Sequence, residues 1–298
     1  MQREVENWIT INGKHVPIFK QDSKRDTTYK AIAVSNENKK NAEIAKNQEI
    51  ANQLNAGKVN KLSRYSTPKE IQVYYKNKYN ISVDNSYFEH NNEPEFLIDS
   101  TKNFDKLYAE FPILKDANYK IISKDFDHEK LIPEEYKNTT ALSKSDYKGE
   151  IWLNAWHFNR NEFPKIAEEF AIQTTKGKFP KNTSIYNVLV HELGHKVEIE
   201  IARSIGVSES ELKYNGIAEL IVKQSYKDMP AGMYKTIQRA RNSISKYSGT
   251  NYTASDGSRI YAYEETFAEA ISDYITNGSK AQPFSLKIVE NIKSIINS

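Results

Sequence analysis

Hydrophobic positions along the chain fall into a few readable rhythms. Residues 7–19 alternate around Asn12-Gly13, a pair suited to a two-residue hairpin turn, and predict a small β-hairpin. From Thr27 to Leu54 the large apolar side chains thin out to Ile32, Ile44, Ile50 and Leu54 in a run rich in lysine, asparagine and alanine. That density predicts a thinly amphipathic helix or a flexible tether. NAGKVNKLSRYS (55–66) reads as a linker, so the chain divides into an N-terminal hairpin plus tether (1–60) and a larger domain (61–298). Within the larger part, Thr67-Pro68-Lys69-Glu70 has the form of a capped helix start leading into IQVYYKNKY. NFDKLYAEFPIL (103–114) predicts a second helix and YKIISKDF (119–126) a strand. GEIWLNAWHF (149–158) sets Ile151, Leu153 and Ala155 against Trp152, Asn154 and Trp156, which predicts a strand along the whole segment. A helix from Asn161 to Thr175 and a Gly/Pro loop, KGKFPKN, come next.

Two further segments carry helical spacing. Ile185, Leu189, Leu193 and Val197 recur every four residues, and Val188, Val190, Ile199 and Ile201 widen the apolar coverage. A largely buried helix from Ile185 to Ile205 follows, capped by Asn182, Thr183 or Ser184. In IYAYEETFAEAISDYI (260–275), Ile260, Tyr263, Phe267, Ile271 and Tyr274 share one helical face, and Glu265 with Glu269 another. The sum is an α+β fold with a mostly helical C-terminal part.

Composition narrows the chemistry more than the fold. The chain has 298 residues, of which 38% are hydrophobic and 27% charged; its nineteen tyrosines and twelve phenylalanines supply a core. A net charge of +3 is too small to point to nucleic acid or an anionic membrane. There is no cysteine, so a metal site has to be built from His, Asp and Glu. No run approaches the ~20 apolar residues of a membrane span, and the N-terminus lacks the pattern of a signal peptide. The expectation is a soluble protein, cytoplasmic, virion-associated or exported by a non-classical route.

The chemistry centres on VHELGHKVEIE (190–200). His191 and His195 lie one turn apart on one face, so their imidazoles can converge on one ion, and Glu192 is placed to reach water beside it. A buried helix holding two histidines without a metal is the alternative, but such groups are costly in an apolar helix unless something pairs with them. A catalytic zinc needs a third protein ligand. The long form of the motif would require Gly at 198 and His at 201, where this chain has Glu198 and Ile201, and no histidine follows His195. A downstream ligand must therefore be a carboxylate. Glu265 and Glu269, four apart, suit one ligand and one carboxylate that accepts a hydrogen bond from the far nitrogen of a ligating histidine. Glu198 is a rival on the same helix, ranked as a support or a surface charge. His157 upstream is a further rival, but it sits on the expected strand and is ranked as structural or facing substrate.

HELGH followed by YEETFAEA, with the C-terminal run FSLKIVENIKSIINS, resembles the anthrax lethal factor-like zinc peptidases, a gluzincin family, over about 67–298. The resemblance implies a zincin-like domain with a mixed sheet whose active-site edge strand is GEIWLNAW. It implies a zinc endopeptidase cleaving a protein substrate, with His191, His195 and Glu265 as Zn2+ ligands. Glu192 would be the general base on the zinc-bound water and Glu269 the neighbour of a ligand. The family also places a tyrosine before the glutamate helix as a donor to the oxyanion, for which Tyr247 is the first choice and Tyr252 and Tyr261 stay open. WITINGKHVPIF is similar to segments in phage minor head proteins and related mobile elements. That likeness implies a possible particle partner, and a second reading: a structural, head-associated protein whose zincin fold binds rather than cleaves.

Overall fold

The computed structural model describes residues 5–11, 14–19, 61–130, 132, 134, 137–143, 149–207, 216–253 and 259–297. The chain divides into two units, Met1–Asn60 and Lys61–Ser298. In the first, β1 (Val5–Ile11) and β2 (Lys14–Phe19) pair antiparallel, with Ile11 opposite Lys14. The Asn12-Gly13 turn and the expected helix or tether over 27–54 lie outside the described residues.

The second unit is α+β. It opens with α1 (Pro68–Tyr79), started by a complete capping box in which Thr67 and Glu70 satisfy each other's backbone N–H groups. Next come β3 (Ile81–Val83), the single turn α2 (Ser86–Glu89) and α3 (Pro94–Glu110). The helix expected over 103–114 therefore begins at Pro94 and gives way to a 3-10 turn at Pro112–Asp116, where the proline has no N–H to continue the ladder. Tyr75 and Tyr79 of α1 meet Phe104 of α3 edge to face at 5.6 and 5.3 Å, which seals these helices together.

Four strands form a mixed sheet: β4 (Tyr119–Lys124), β5 (Ala141–Ser143), β6 (Glu150–Asn154) and β3, in the order β3-β4-β6-β5. β3, β4 and β6 run parallel, and β5 pairs antiparallel with β6. This corrects two expectations for GEIWLNAWHF. The strand ends at Asn154, whose side-chain oxygen accepts from the Trp156 N–H and starts the single turn α4 (Ala155–Phe158). Nor is this strand an edge: β5 covers its outer side, so among the described residues the edge beside β6 is Ala141–Ser143. Both faces of β6 are buried, which removes the reason for a one-sided pattern.

The remaining elements are largely helical: α5 (Phe163–Thr175), α6 (Val188–Ser204), α7 (Ile217–Lys227), α8 (Ile237–Ile244), the short ladder of β7 (Asn251–Thr253) and β8 (Arg259–Tyr261), α9 (Tyr263–Asn277) and α10 (Pro283–Ile296). A 3-10 turn at Ile185–Asn187, capped by Ser184 and Asn187, feeds α6. Ile260 and Tyr261 are strand rather than helix, so the glutamate helix starts at Tyr263, later than its apolar spacing predicts. α6 packs against α9 on one side and against β5 on the other. Among the described residues no helix is long and apolar enough to cross a membrane.

Candidate metal centre

α6 is buried almost all round, and the approach of α9 is set by the smallest residues in both motifs. A Cβ on Gly194 would lie 3.0 Å from the Ala268 Cα and 3.2 Å from its Cβ, tighter than most packed Cβ contacts, so the neighbour would have to give way. The glycine of HELGH and the first alanine of the EETFAEA run therefore let the two backbones meet. That contact carries the first turn of α9 up to the histidine pair.

Three donors converge there. His191 Nε2 and His195 Nε2 face each other at 3.2 Å. Glu265 Oε2 lies 3.1 Å from His191 Nε2 and 3.7 Å from His195 Nε2. Ligand bonds of ~2.0–2.1 Å in a tetrahedron give ligand-to-ligand edges of about 3.3 Å, so this triangle has the spacing of one face of such a site. Among the described residues His191, His195 and Glu265 are the group of His, Asp and Glu donors close enough to hold one ion.

Two atoms of the cluster, Glu265 Oε2 and His191 Nδ1, are buried without a hydrogen bond. Of these, Glu265 Oε2 lies 3.1 Å from His191 Nε2. A buried acceptor left this way costs ~1–3 kcal/mol, and a cation in the triangle is the kind of partner that removes the cost. Glu269 Oε1 stands 2.8 Å from His191 Nδ1, while its Oε2 accepts from Ser245 Oγ at 2.8 Å. The residues present thus fit a metal ion bound by two imidazoles and a carboxylate, with a further carboxylate behind one imidazole.

The ionisable groups of the cluster act strongly on one another. Burial alone disfavours an imidazolium at His191, but the Glu265 and Glu269 carboxylates outweigh it and hold this histidine well above its ordinary range. At His195 burial wins over the attraction of Glu265 and, helped by His191 and Lys196, lowers the imidazole to about 4. Burial would raise Glu265, yet the two histidines and a hydrogen bond from Tyr247 bring it down to about 2. The site therefore keeps an ionised carboxylate beside one imidazole that stays neutral.

Glu192 is buried one residue round from His191. Tyr247 hydrogen-bonds Glu265, and its ring lies 5.8 Å from that of His191. Its backbone N–H donates to Lys178 O at 3.0 Å, and Phe179 packs on its ring at 6.0 Å, so the loop after α5 supports it. Tyr252 and Tyr261 lie on β7 and β8, and their side chains are outside what the structure describes. The two rivals stand apart from the triangle. Glu198 accepts from the Ala218 N–H at 2.8 Å, in the first turn of α7, and burial pushes its carboxyl up to about 7. His157, on α4, contacts Thr140 Oγ1 at 3.3 Å and is lowered by burial.

Spacing did not single out Ser245, Thr266 or Arg241. Ser245 and Thr266 surround the glutamates with buried hydroxyls, and Arg241 is buried beside them. Arg241 and Thr266 lie on helices and Ser245 just after one, and their polar character becomes meaningful only once these positions are known to be covered. Compared with family models, curated proteins and solved structures, the chain matches none.

Proposed function

We propose that this chain is a zinc-dependent endopeptidase of the gluzincin type, acting on a protein or peptide substrate. The observation that carries the proposal is the triangle of His191, His195 and Glu265 donors, drawn from two helices, with Glu192 in the same turn as the histidines. These three residues would hold the metal. Zinc, when bound, supplies Lewis acidity and makes water a usable nucleophile at neutral pH.

The chain's own residues account for the rest. Glu192 accepts the proton of the attacking water and returns it to the departing amine. The Tyr247 hydroxyl, which rests on Glu265 here, donates to the carbonyl oxygen as negative charge builds on it. Glu269 sits 2.8 Å from His191 Nδ1, placed to accept from that nitrogen when Nε2 is given to a metal. β5 is the sheet's edge and lies against α6, so an extended substrate can add beside Ala141–Ser143 through main-chain hydrogen bonds.

Glu192→Gln tests the reading. It should retain a full zinc complement and lose ~100-fold or more in cleavage of a peptide library. Zinc-loaded wild type that cleaves no member of the library would sink the proposal and leave a binding role, such as that of a particle-associated protein, in its place.

A further inference from the structure

The Arg241 side chain is fully buried, and its fork reaches three separate segments. Nε donates to Thr266 Oγ1 at 2.7 Å, in the first turn of α9 between Glu265 and Glu269. One terminal nitrogen donates to Thr250 O at 2.8 Å and to Ala262 O at 2.9 Å. The other donates to Asn251 Oδ1 at 2.9 Å and Gln238 Oε1 at 3.3 Å. The guanidinium also lies over the Tyr263 ring at 5.0 Å.

These contacts bracket the loop 245–250 that carries Tyr247. Thr266 Oγ1, while accepting from Arg241, donates to Ser248 O at 2.8 Å. Ser245 ties the start of the loop to Glu269, and Gln238 Nε2 donates to Gly249 O at 2.8 Å. At Gly249 a Cβ would fall 1.6 Å from Asn242 Oδ1, so the loop returns tightly over α8. Tyr247 thus sits in the middle of a loop fixed at its start by Glu269 and at its end by Arg241. The same guanidinium holds the N-cap carbonyl of the ligand helix.

We infer that Arg241 is the positioning residue of the centre, one guanidinium that sets the Tyr247 loop and the first turn of α9 in a fixed relation, so that the tyrosine hydroxyl and the Glu265 carboxylate stay on the same point. This rests on the hydrolase reading for its catalytic consequence, but the positioning itself does not. Lysine cannot replace it: a point charge with three donors does not span Thr250, Ala262, Thr266 and Asn251 as a planar fork with five N–H groups does.

The test is Arg241→Lys in the full chain, with Thr266→Val as the milder variant that keeps volume and removes the bridging hydroxyl. Amide hydrogen exchange is the first readout. Exchange at Tyr247, Gly249 and Thr250, whose N–H groups are all bonded, should rise ten-fold or more while α6 keeps its protection. Cleavage is the second: kcat should fall with KM nearly unchanged, and adding Tyr247→Phe to Arg241→Lys should cost nothing further. Loop exchange within two-fold of wild type in both variants overturns the inference. So does a parallel rise in α6, which would mark general packing, or additive losses in the double variant. If the zinc-loaded wild type cleaves nothing, only the hydrolase reading fails, and the exchange data still decide the role of Arg241.

Discussion

Glu198 and Glu265 are both buried carboxylates near the histidine pair, and their surroundings push them in opposite directions. Glu265 faces two imidazoles and Tyr247, which hold it down to about 2. Glu198 has the Ala218 N–H, but burial and the nearby Glu264 dominate and raise it to about 7. Glu265→Ala should therefore lose the metal: the variant should retain no zinc after dialysis against a mild chelator that leaves wild type loaded. Glu269→Ala should still bind zinc, about 10–100-fold more weakly, in a competition titration. Glu198 makes a pH prediction. A folded carboxyl raised above its unfolded value binds its proton more tightly in the native state, so stability falls as pH rises from about 4.5 to 7 and stays low above. Glu198→Gln keeps the acceptor for Ala218 and removes that loss. Its thermal midpoint should match wild type near pH 4.5 and exceed it at pH 8, by a stability difference on the order of 1–3 kcal/mol. An equal shift at both pH values would refute it.

At the scale of elements, the centre depends on how closely α6 and α9 approach. Gly194→Ala puts a methyl 3.0 Å from the Ala268 Cα, and neither backbone can yield without moving its helix. Alanine favours helix by about 1 kcal/mol over glycine, which offsets part of an overpacking cost of ~1–3 kcal/mol. The variant should hence fold with a midpoint no more than about 8 °C below wild type yet bind zinc at least ten-fold more weakly, because the ligand helix has shifted; unchanged zinc affinity would mean that the close approach does not place Glu265. Elements also show where pattern reading succeeds and fails. α1 was legible because its cap is local: Thr67 and Glu70 are three residues apart and need no partner from elsewhere. β6 departs from its pattern in both length and place. Asn154 stops it through a side-chain bond to Trp156 N, and β5, a three-residue strand with little pattern of its own, covers its outer side. α3 starts nine residues before the expected helix, at Pro94, where Glu93 caps it and the proline occupies its first turn.

For the molecule as a whole, metal and fold should be linked. A ligand that binds only the native state stabilises it by ~4 kcal/mol at a thousand-fold excess over Kd. For a unit the size of residues 61–298 each kcal/mol moves the midpoint by about 2–4 °C. Removing zinc with a chelator should therefore lower the thermal midpoint of wild type by roughly 10 °C and leave that of Glu265→Ala in place. A wild-type midpoint that does not respond to chelator and returned zinc would argue against a metal bound by this site.

The sequence by itself determined the helix holding His191, Glu192 and His195, since four-residue periodicity and histidine spacing both follow from helical geometry alone. It also limited any downstream third ligand to a carboxylate, by the absence of cysteine and of later histidines, while leaving His157 open upstream. Only the tertiary structure decided that Glu265 meets both imidazoles while Glu198 turns to α7. It alone showed that Tyr247 rests on Glu265, that β5 rather than β6 is the edge, and that one buried arginine joins loop to helix. Those outcomes turn on contacts between segments tens of residues apart, where sub-ångström packing at Gly194 and Ala268 sets the geometry and no periodicity records it.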